Sequence, residues 1–207
     1  ISFFGENTVE NLILINPDNP TGNYLQKDEI IELICWTKKQ NINLVVDESF
    51  VDFADEQDSS VIDKDILESN PHLYVIKSIS KSHGVPGIRL GVLASGNLEV
   101  ISRIKKDVAI WNINSFGEFY LQIAEKYKSD YSAALEIFSA ERKRLKEQLE
   151  AIDGLRVFPS QANFFMVEIL NGMSAKELTR RMIVNHSILI KNLFSKINHK
   201  HGQFIRL

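Results

Sequence analysis

The feature that most constrains the fold is an alternation of short apolar runs with helix-length amphipathic segments in the first 106 residues. Strands are predicted at residues 12–15, 43–47, 73–76 and 88–94, and helices at 27–40 and 98–106. This alternation predicts a parallel or mixed sheet with helices on its faces. Ligands bind outside the strand ends of such sheets, so we expect the polar segments 16–22, 47–49 and 78–89 to converge on one site.

The remainder of the chain has a different order of elements. Helices are predicted at residues 115–127, 129–152 and 175–185, and strands at 155–158, 162–169, 188–191 and 204–207. This order predicts a second, small α/β unit. We therefore expect a partial large domain over residues 1–128 and a small C-terminal domain over residues 129–207.

Composition excludes several classes of protein. With 207 residues, 44% hydrophobic residues and a net charge of −3, the chain is typical of a globular protein without a nucleic-acid footprint. Its apolar runs are too short to cross a membrane. His199 and His201 have no third ligand nearby, so no metal site is predicted. The single cysteine, Cys35, is predicted to be buried in a helix and fits a reducing, cytoplasmic location.

A lysine in a turn rich in glycine and serine is the first candidate for chemistry. Lys81 lies in the segment Ser-Ile-Ser-Lys-Ser-His-Gly-Val-Pro-Gly-Ile-Arg-Leu-Gly, residues 78–91. Arg89, eight residues later, is placed to return to the same pocket, where its planar guanidinium and nearby hydroxyls would bind a phosphate. Without further context, the same segment is an ordinary surface loop with a solvated lysine.

This segment resembles the signature of fold-type-I aminotransferases, which depend on pyridoxal 5'-phosphate (PLP). It is most similar to the branch that contains histidinol-phosphate aminotransferase and threonine-phosphate decarboxylase. The resemblance implies that Lys81 forms a Schiff base with PLP and that Ser78 and Arg89 hold the cofactor phosphate. It also implies the α/β fold of PLP-dependent transferases, with a mostly parallel sheet in the large domain.

Two further motifs follow the order of the same family. The segment from Asn16 to Gly22, Asn-Pro-Asp-Asn-Pro-Thr-Gly, resembles the family's asparagine-proline loop, in which Asn19 would bind the phenolic oxygen of PLP. Asp47 resembles the aspartate at a strand end that pairs with the pyridine nitrogen. A carboxylate there favours the protonated form of that nitrogen, which draws electrons from the substrate.

The resemblance also implies positions for the substrate. Arg206, on the last strand, matches the arginine that binds the substrate carboxylate, and Asn163 lies at a strand near the active site. Phe50 departs from the family, because most relatives have a tyrosine three residues after the aspartate. We expect the absence of the tyrosine hydroxyl to raise the pKa of the Schiff base. Phenylalanine at this position resembles the decarboxylase branch.

Three functions remain open from the sequence. The first is an aminotransferase that moves an amino group between an amino acid, including a phosphorylated one, and a keto acid. The second is a PLP-dependent α-decarboxylase of a phosphorylated hydroxy-amino acid, and the third is a non-catalytic aminotransferase-like module. The family is usually dimeric, so a homodimer is expected for the full-length protein. The family's upstream phosphate loop is missing, so we expect a fragment that binds PLP poorly alone.

Overall fold

The computed structural model describes residues 9–195 and 202–207, and its first sheet contains the four apolar runs of the N-terminal part. The strands lie in the order β1 (Asn11–Ile15), β2 (Asn43–Asp47), β3 (Leu73–Ser78) and β4 (Gly91–Ala94). The first three are parallel, whereas β4 runs antiparallel to β3. Leu44, Val46, Leu73 and Val75 are fully buried, so the middle of the sheet forms the core of this part.

Within the described residues up to 107, four helices accompany this sheet, and the first shows why the local sequence is helical. They are α1 (Lys27–Gln40), α2 (Lys64–Ser69), α3 (Ile79–Ser82) and α4 (Leu98–Asp107). Helix α1 buries Ile30, Ile34 and Thr37, which share one face at helical spacing. Cys35 is exposed, so the prediction that it is buried is wrong. The reason is that Cys35 lies one residue, about 100° of helix rotation, from Ile34 on the buried face.

The C-terminal part builds a second sheet of four strands within the described residues. Their order is β5 (Leu155–Val157), β6 (Met166–Ile169), β8 (Phe204–Arg206) and β7 (Lys191–Asn192), all antiparallel. Helices α6 (Lys128–Glu150) and α7 (Ala175–His186) accompany it, whereas α5 (Ser115–Ala124) lies against the N-terminal part, where Asn114 Nδ2 donates to Ile88 O (2.7 Å). Phe165, Val167 and Ile205 form the buried centre of this sheet.

An aromatic cluster and one buried arginine join the two sheets. Phe50 and Phe53, which follow β2, pack with Ala162 and Phe164 of the C-terminal part. Arg142 of α6 is 6% exposed and donates from Nη1 to the carbonyl oxygens of Phe53 (2.6 Å) and Ala162 (3.2 Å). Helix α6 therefore fixes the two sheets through apolar packing and through charge-assisted hydrogen bonds.

The α/β fold with a mostly parallel sheet and a second small unit is confirmed, and three strand boundaries were wrong. The strand predicted at 88–94 begins only at Gly91, because a 3-10 turn (Pro86–Ile88) and a left-handed Arg89 (φ 60°) precede it. The strand predicted at 162–169 begins at Met166. The Ser160 hydroxyl holds a turn there, accepting from Ala162 N and donating to Phe164 O.

The strand predicted at 188–191 is observed at Lys191–Asn192, because only Lys191 and Asn192 pair with β8. The domain boundary near residue 128 stays a prediction, although α6 begins at that residue.

Neither a membrane-spanning helix nor a cluster of metal ligands occurs within the described residues. Across residues 9–195 and 202–207, none of the helices combines the length and the apolar character that crossing a membrane requires. The same residues contain no group of three or more histidine, cysteine, aspartate or glutamate side chains placed to hold a metal ion. His199 and His201 lie outside the described residues.

Candidate active site

The site begins where the three parallel strands end. In the register of the sheet, Asp47 at the end of β2 lies beside Ile15 of β1 and Ile76 of β3. The carboxyl ends of parallel strands meet at one edge of a sheet, so the segments that follow them are brought together. The three polar segments singled out in the sequence therefore begin at this edge.

The loop after β1 is fixed by side-chain contacts to its own backbone. Asn16 is 1% exposed, donates from Nδ2 to Leu25 O (2.9 Å) and accepts from Leu25 N at Oδ1 (2.8 Å). Gly22 has φ +78°, and a Cβ at this position would come within 2.1 Å of Ser160 Oγ. Glycine is required both for the left-handed backbone and for the close approach to the C-terminal part. These contacts fix the ends of the loop that presents Asn19.

Lys81 is carried by the single helical turn α3, directly after β3. Ser80 of this turn is buried, whereas the Lys81 side chain reaches over the face of Phe50, with Nζ 5.6 Å from the ring centroid. Phe50 in turn meets the ring of Phe164 edge-on, at 5.3 Å between centroids. The lysine ammonium therefore lies over Phe50, which forms with Phe164 an aromatic floor from both parts of the chain.

Asp47 and Ser78 are connected through a residue that the sequence analysis did not select. The Ser49 hydroxyl donates to Asp47 Oδ1 (2.5 Å) and accepts from the backbone N–H of Ser78 (3.2 Å), while Ser49 N also donates to Asp47 Oδ1 (2.9 Å). Within the described residues, no hydrogen bond uses Asp47 Oδ2. Ser49 thus holds the carboxylate in place and leaves one oxygen for a ligand.

A cavity of about 370 Å³ brings four predicted site residues together. These are Asn19, Lys81, Asn163 and Arg206. Arg206 donates from Nη1 to Asn19 Oδ1 (2.7 Å), and its guanidinium carbon lies 5.0 Å from the ring centroid of Phe164. The contact between Asn19 and Arg206 spans the two sheets, so the cavity lies between them.

The cavity also contains a cation that the sequence analysis missed. Lys191 of β7 lines it and is the register partner of Arg206 on β8. Side chains opposite each other on antiparallel strands lie on the same face of the sheet, so the two cationic groups face the cavity together. The sequence carried no signal for Lys191, because the pairing of β7 with β8 decides which face it occupies.

The other three predicted residues lie outside this cavity lining. Asp47 and Ser78 end β2 and β3 and are half-buried. Arg89 is exposed, and its Nη1 donates to Pro86 O (3.1 Å). The left-handed backbone at Arg89 sets the direction in which its side chain leaves the main chain. The spacing of residues in the sequence could not indicate this direction.

Burial dominates the electrostatics beside the site. Glu48 is fully buried, and this burial raises the pKa of its carboxyl despite hydrogen bonds from Ser60 Oγ (2.5 Å) and Val61 N (2.7 Å). Burial also acts to raise the pKa of Asp52, but Lys77 and the Ser82 hydroxyl outweigh it and the net shift is downward. The segment that follows β2 thus carries one acid, Glu48, that resists ionisation and one, Asp52, that ionises readily.

Comparison with known proteins agrees with this geometry. The family model described as aminotransferase class I and II matches residues 5–197. The chain belongs to this family. The relationship predicted from the motifs at residues 16–22, 47–50 and 78–91 is therefore confirmed.

Relatives within the family include both decarboxylases and aminotransferases. L-serine phosphate decarboxylase Cj1436c of Campylobacter jejuni is 29% identical over 100% of this chain and 53% of its own length. Histidinol-phosphate aminotransferase 1 of Carboxydothermus hydrogenoformans is 32% identical over 88% of this chain and 48% of its own length. A decarboxylase from Sulfurospirillum multivorans has a structure that matches all of this chain and 58% of its own, with TM-score 0.87 and 28% identity. The chain thus spans about half the length of these relatives.

The family's cofactor is PLP, and the residues present fit it. The aldehyde of PLP requires an amine, and its ring nitrogen requires a carboxylic acid. Its phenolic oxygen requires a hydrogen-bond donor. Lys81 lines the cavity, Asp47 has an oxygen that no described residue binds, and Asn19 uses only Oδ1 within the described residues, which leaves its Nδ2 donor. The chemistry of this donor set matches the cofactor that the family implies, so the prediction of PLP is confirmed.

Proposed function

We propose that the chain is the catalytic part of a PLP-dependent enzyme that acts on a phosphorylated α-amino acid. The observation that carries the proposal is one cavity that contains the Lys81 amine together with the cationic side chains of Arg206 and Lys191. A guanidinium binds a carboxylate with two parallel hydrogen bonds, and an adjacent ammonium binds a second anionic group. Such a cavity suits a small substrate with a carboxylate and a phosphate.

Each residue has a proposed task. Lys81 would hold the cofactor covalently, and its amine would also move a proton at the substrate's α carbon. Asp47 would bind the ring nitrogen of PLP, and Asn19 would bind its phenolic oxygen. Ser78 and Arg89 would bind the phosphate of the cofactor. When bound, PLP supplies an electron sink for the electrons released at the substrate's α carbon.

The substrate side of the cavity has its own proposed residues. Arg206 would bind the substrate carboxylate, and Asn163 would contact the substrate from the same cavity wall. Arg206 already donates to Asn19, so substrate binding would connect the carboxylate site with the cofactor site.

The reaction we favour is decarboxylation. Phe50 stands where most aminotransferases carry a tyrosine, and the serine phosphate decarboxylase relative covers the whole chain. Transamination is the second candidate, supported by the histidinol-phosphate aminotransferase relative at 32% identity. The full-length protein is proposed to be a cytoplasmic homodimer with a small-molecule substrate.

Absorbance of the protein with added PLP, before and after borohydride, tests the proposal. We expect a visible band that borohydride fixes onto Lys81, as read by peptide mass, and the band should be lost in Lys81→Ala. Lys105→Ala is the matched control, because Lys105 is exposed on α4, away from the cavity. An unlabelled Lys81 in the full-length protein would contradict the proposal.

Product analysis with phosphoserine, phosphothreonine and histidinol phosphate separates the two reactions. Release of carbon dioxide and an amine, with no amino acceptor consumed, identifies the decarboxylase. Consumption of 2-oxoglutarate identifies the aminotransferase. Equal turnover of the unphosphorylated amino acids would contradict the proposed phosphate recognition.

A further inference from the structure

A half-buried ion pair lies against the turn that carries Lys81, and none of the tasks proposed above uses it. Lys77 Nζ lies 2.5 Å from Asp52 Oδ1, and the two side chains are only 20% and 19% exposed. Lys77 is in β3, four residues before Lys81. Asp52 is in the 3-10 turn Val51–Phe53, two residues after the phenylalanine that lies beneath the lysine.

The second oxygen of Asp52 is bound to the turn itself. Ser82 Oγ donates to Asp52 Oδ2 (2.6 Å), and Ser82 is the residue directly after Lys81 in α3. One carboxylate therefore binds a residue on each side of Lys81. A helical turn of four residues has few hydrogen bonds of its own, so outside contacts must hold its position.

Other titratable groups lie around the ion pair, namely His83, Tyr131 and Glu48. Burial lowers the pKa of His83 and raises that of Tyr131, so both are mainly neutral at pH 7. The His83 ring stacks on Tyr131 at 4.1 Å between centroids and bonds to the Tyr120 hydroxyl at 2.7 Å. Glu48 faces the pair from the end of β2, where burial raises its pKa.

We infer that Asp52 is a positioning residue for Lys81. Through Ser82 it fixes the turn over the aromatic floor, and through Lys77 it balances a positive charge that would otherwise act on the Lys81 nitrogen. The inference rests on the proposed role of Lys81 as the cofactor anchor. An unbalanced ammonium nearby disfavours a proton on that nitrogen, and a loosened turn misplaces it.

The test compares Asp52→Asn with Asp58→Asn in the holoenzyme and the apoprotein. Asp58 is the matched control, because it also pairs with a lysine, Lys27 at 2.9 Å, but its own side chain is 91% exposed. In apo Asp52→Asn we expect amides 79–83 to exchange hydrogen about tenfold faster or more, since a charge-assisted hydrogen bond is lost. In the holoenzyme, the pH midpoint of the visible band should fall by about half a unit or more.

Steady-state kinetics give a third measurement. We expect kcat of Asp52→Asn to fall by about 10–100-fold with KM nearly unchanged, because the reacting nitrogen is misplaced while the substrate residues are intact. Asp58→Asn should match the wild type in exchange, midpoint and kcat. An Asp52→Asn protein that matches Asp58→Asn in all three would overturn the inference.

Ser82→Ala keeps the test decisive if Asp52→Asn fails to fold. It removes the bond to the turn and leaves the charge pair, so exchange should accelerate and kcat should fall while the pH midpoint stays at the wild-type value. Unchanged exchange and kcat would overturn the inference. If wild-type Lys81 is not labelled by PLP, the proposed function fails, but the exchange data on the apoprotein still decide whether Asp52 holds the turn.

Discussion

At the scale of single residues, Glu48 shows how burial sets a titration. It follows Asp47 directly, yet its side chain is fully buried, where Ser60 Oγ and Val61 N donate to it. Strand alternation sends neighbouring side chains to opposite faces of the sheet, which explains the contrast. Burial raises the pKa of Glu48, so the folded protein holds this proton more tightly than the unfolded chain does.

We therefore predict that Glu48→Gln changes the pH dependence of stability. The contribution of Glu48 is fully present below its unfolded pKa, about 4.3, and is lost as pH rises through the higher folded pKa. Glutamine does not ionise and still accepts from Val61 N. In urea denaturation, the variant should gain stability relative to the wild type as pH rises from 4 to 8. Glu32→Gln, on the exposed side of α1, should run parallel to the wild type.

At the scale of elements, α6 is the helix that joins the two sheets. Arg142 Nη2 also donates to Asp55 Oδ1 (2.9 Å) and Gln161 Oε1 (3.3 Å), so its guanidinium binds partners after β2 and before β6. Burial lowers the pKa of Arg142 and Asp55 acts against this. The phenylalanine cluster alone is apolar and would permit sliding, whereas the guanidinium has directional bonds that fix the angle between the sheets.

We predict that Arg142→Met destabilises the protein by about 3 kcal/mol, because the carbonyl groups of Phe53 and Ala162 lose their buried donor. Arg144→Met is the matched control, since Arg144 pairs with Glu141 on the exposed side of the same helix and should cost less than about 1 kcal/mol. Equal losses in urea denaturation would show that the buried bonds of Arg142 do not hold the sheets together.

At the scale of the whole molecule, the chain exposes large apolar side chains near α5. Ile110, Trp111 and Phe116 are 91%, 90% and 82% exposed. Large apolar side chains exposed this close together in the sequence are typical of a surface that another element or chain covers. It also agrees with the coverage of about half of the relatives' length.

We predict that the 207-residue chain, prepared alone, binds an apolar dye such as ANS and associates with itself. Trp111→Ser with Phe116→Ser should reduce both dye fluorescence and the apparent mass in light scattering. Ile137→Ser, which removes an exposed isoleucine on α6, is the control and should change neither. A monodisperse wild-type monomer without dye binding would contradict the prediction.

The sequence by itself determined the family, the order of the elements and the candidate catalytic and binding residues. Apolar periodicity is a local property, so β1, β2, α1 and α7 lie where it predicted. The motifs around Asn19, Asp47 and Lys81 are contiguous and could be read directly. The mostly parallel sheet followed from the alternation of strands and helices, because such connections lead back to the same end of the sheet.

Only the tertiary structure decided which of these residues share a cavity. The bond between Arg206 and Asn19 joins residues 187 positions apart, and Lys191 reaches the cavity only because β7 pairs with β8. The roles of Ser49 and Asp52 likewise depend on contacts across β2 and β3. Left-handed backbone at Arg89 and a turn held by the Ser160 hydroxyl delayed the start of two predicted strands. Long-range packing and single backbone angles leave no periodic signal in a sequence, which is why the motifs were readable and their arrangement was not.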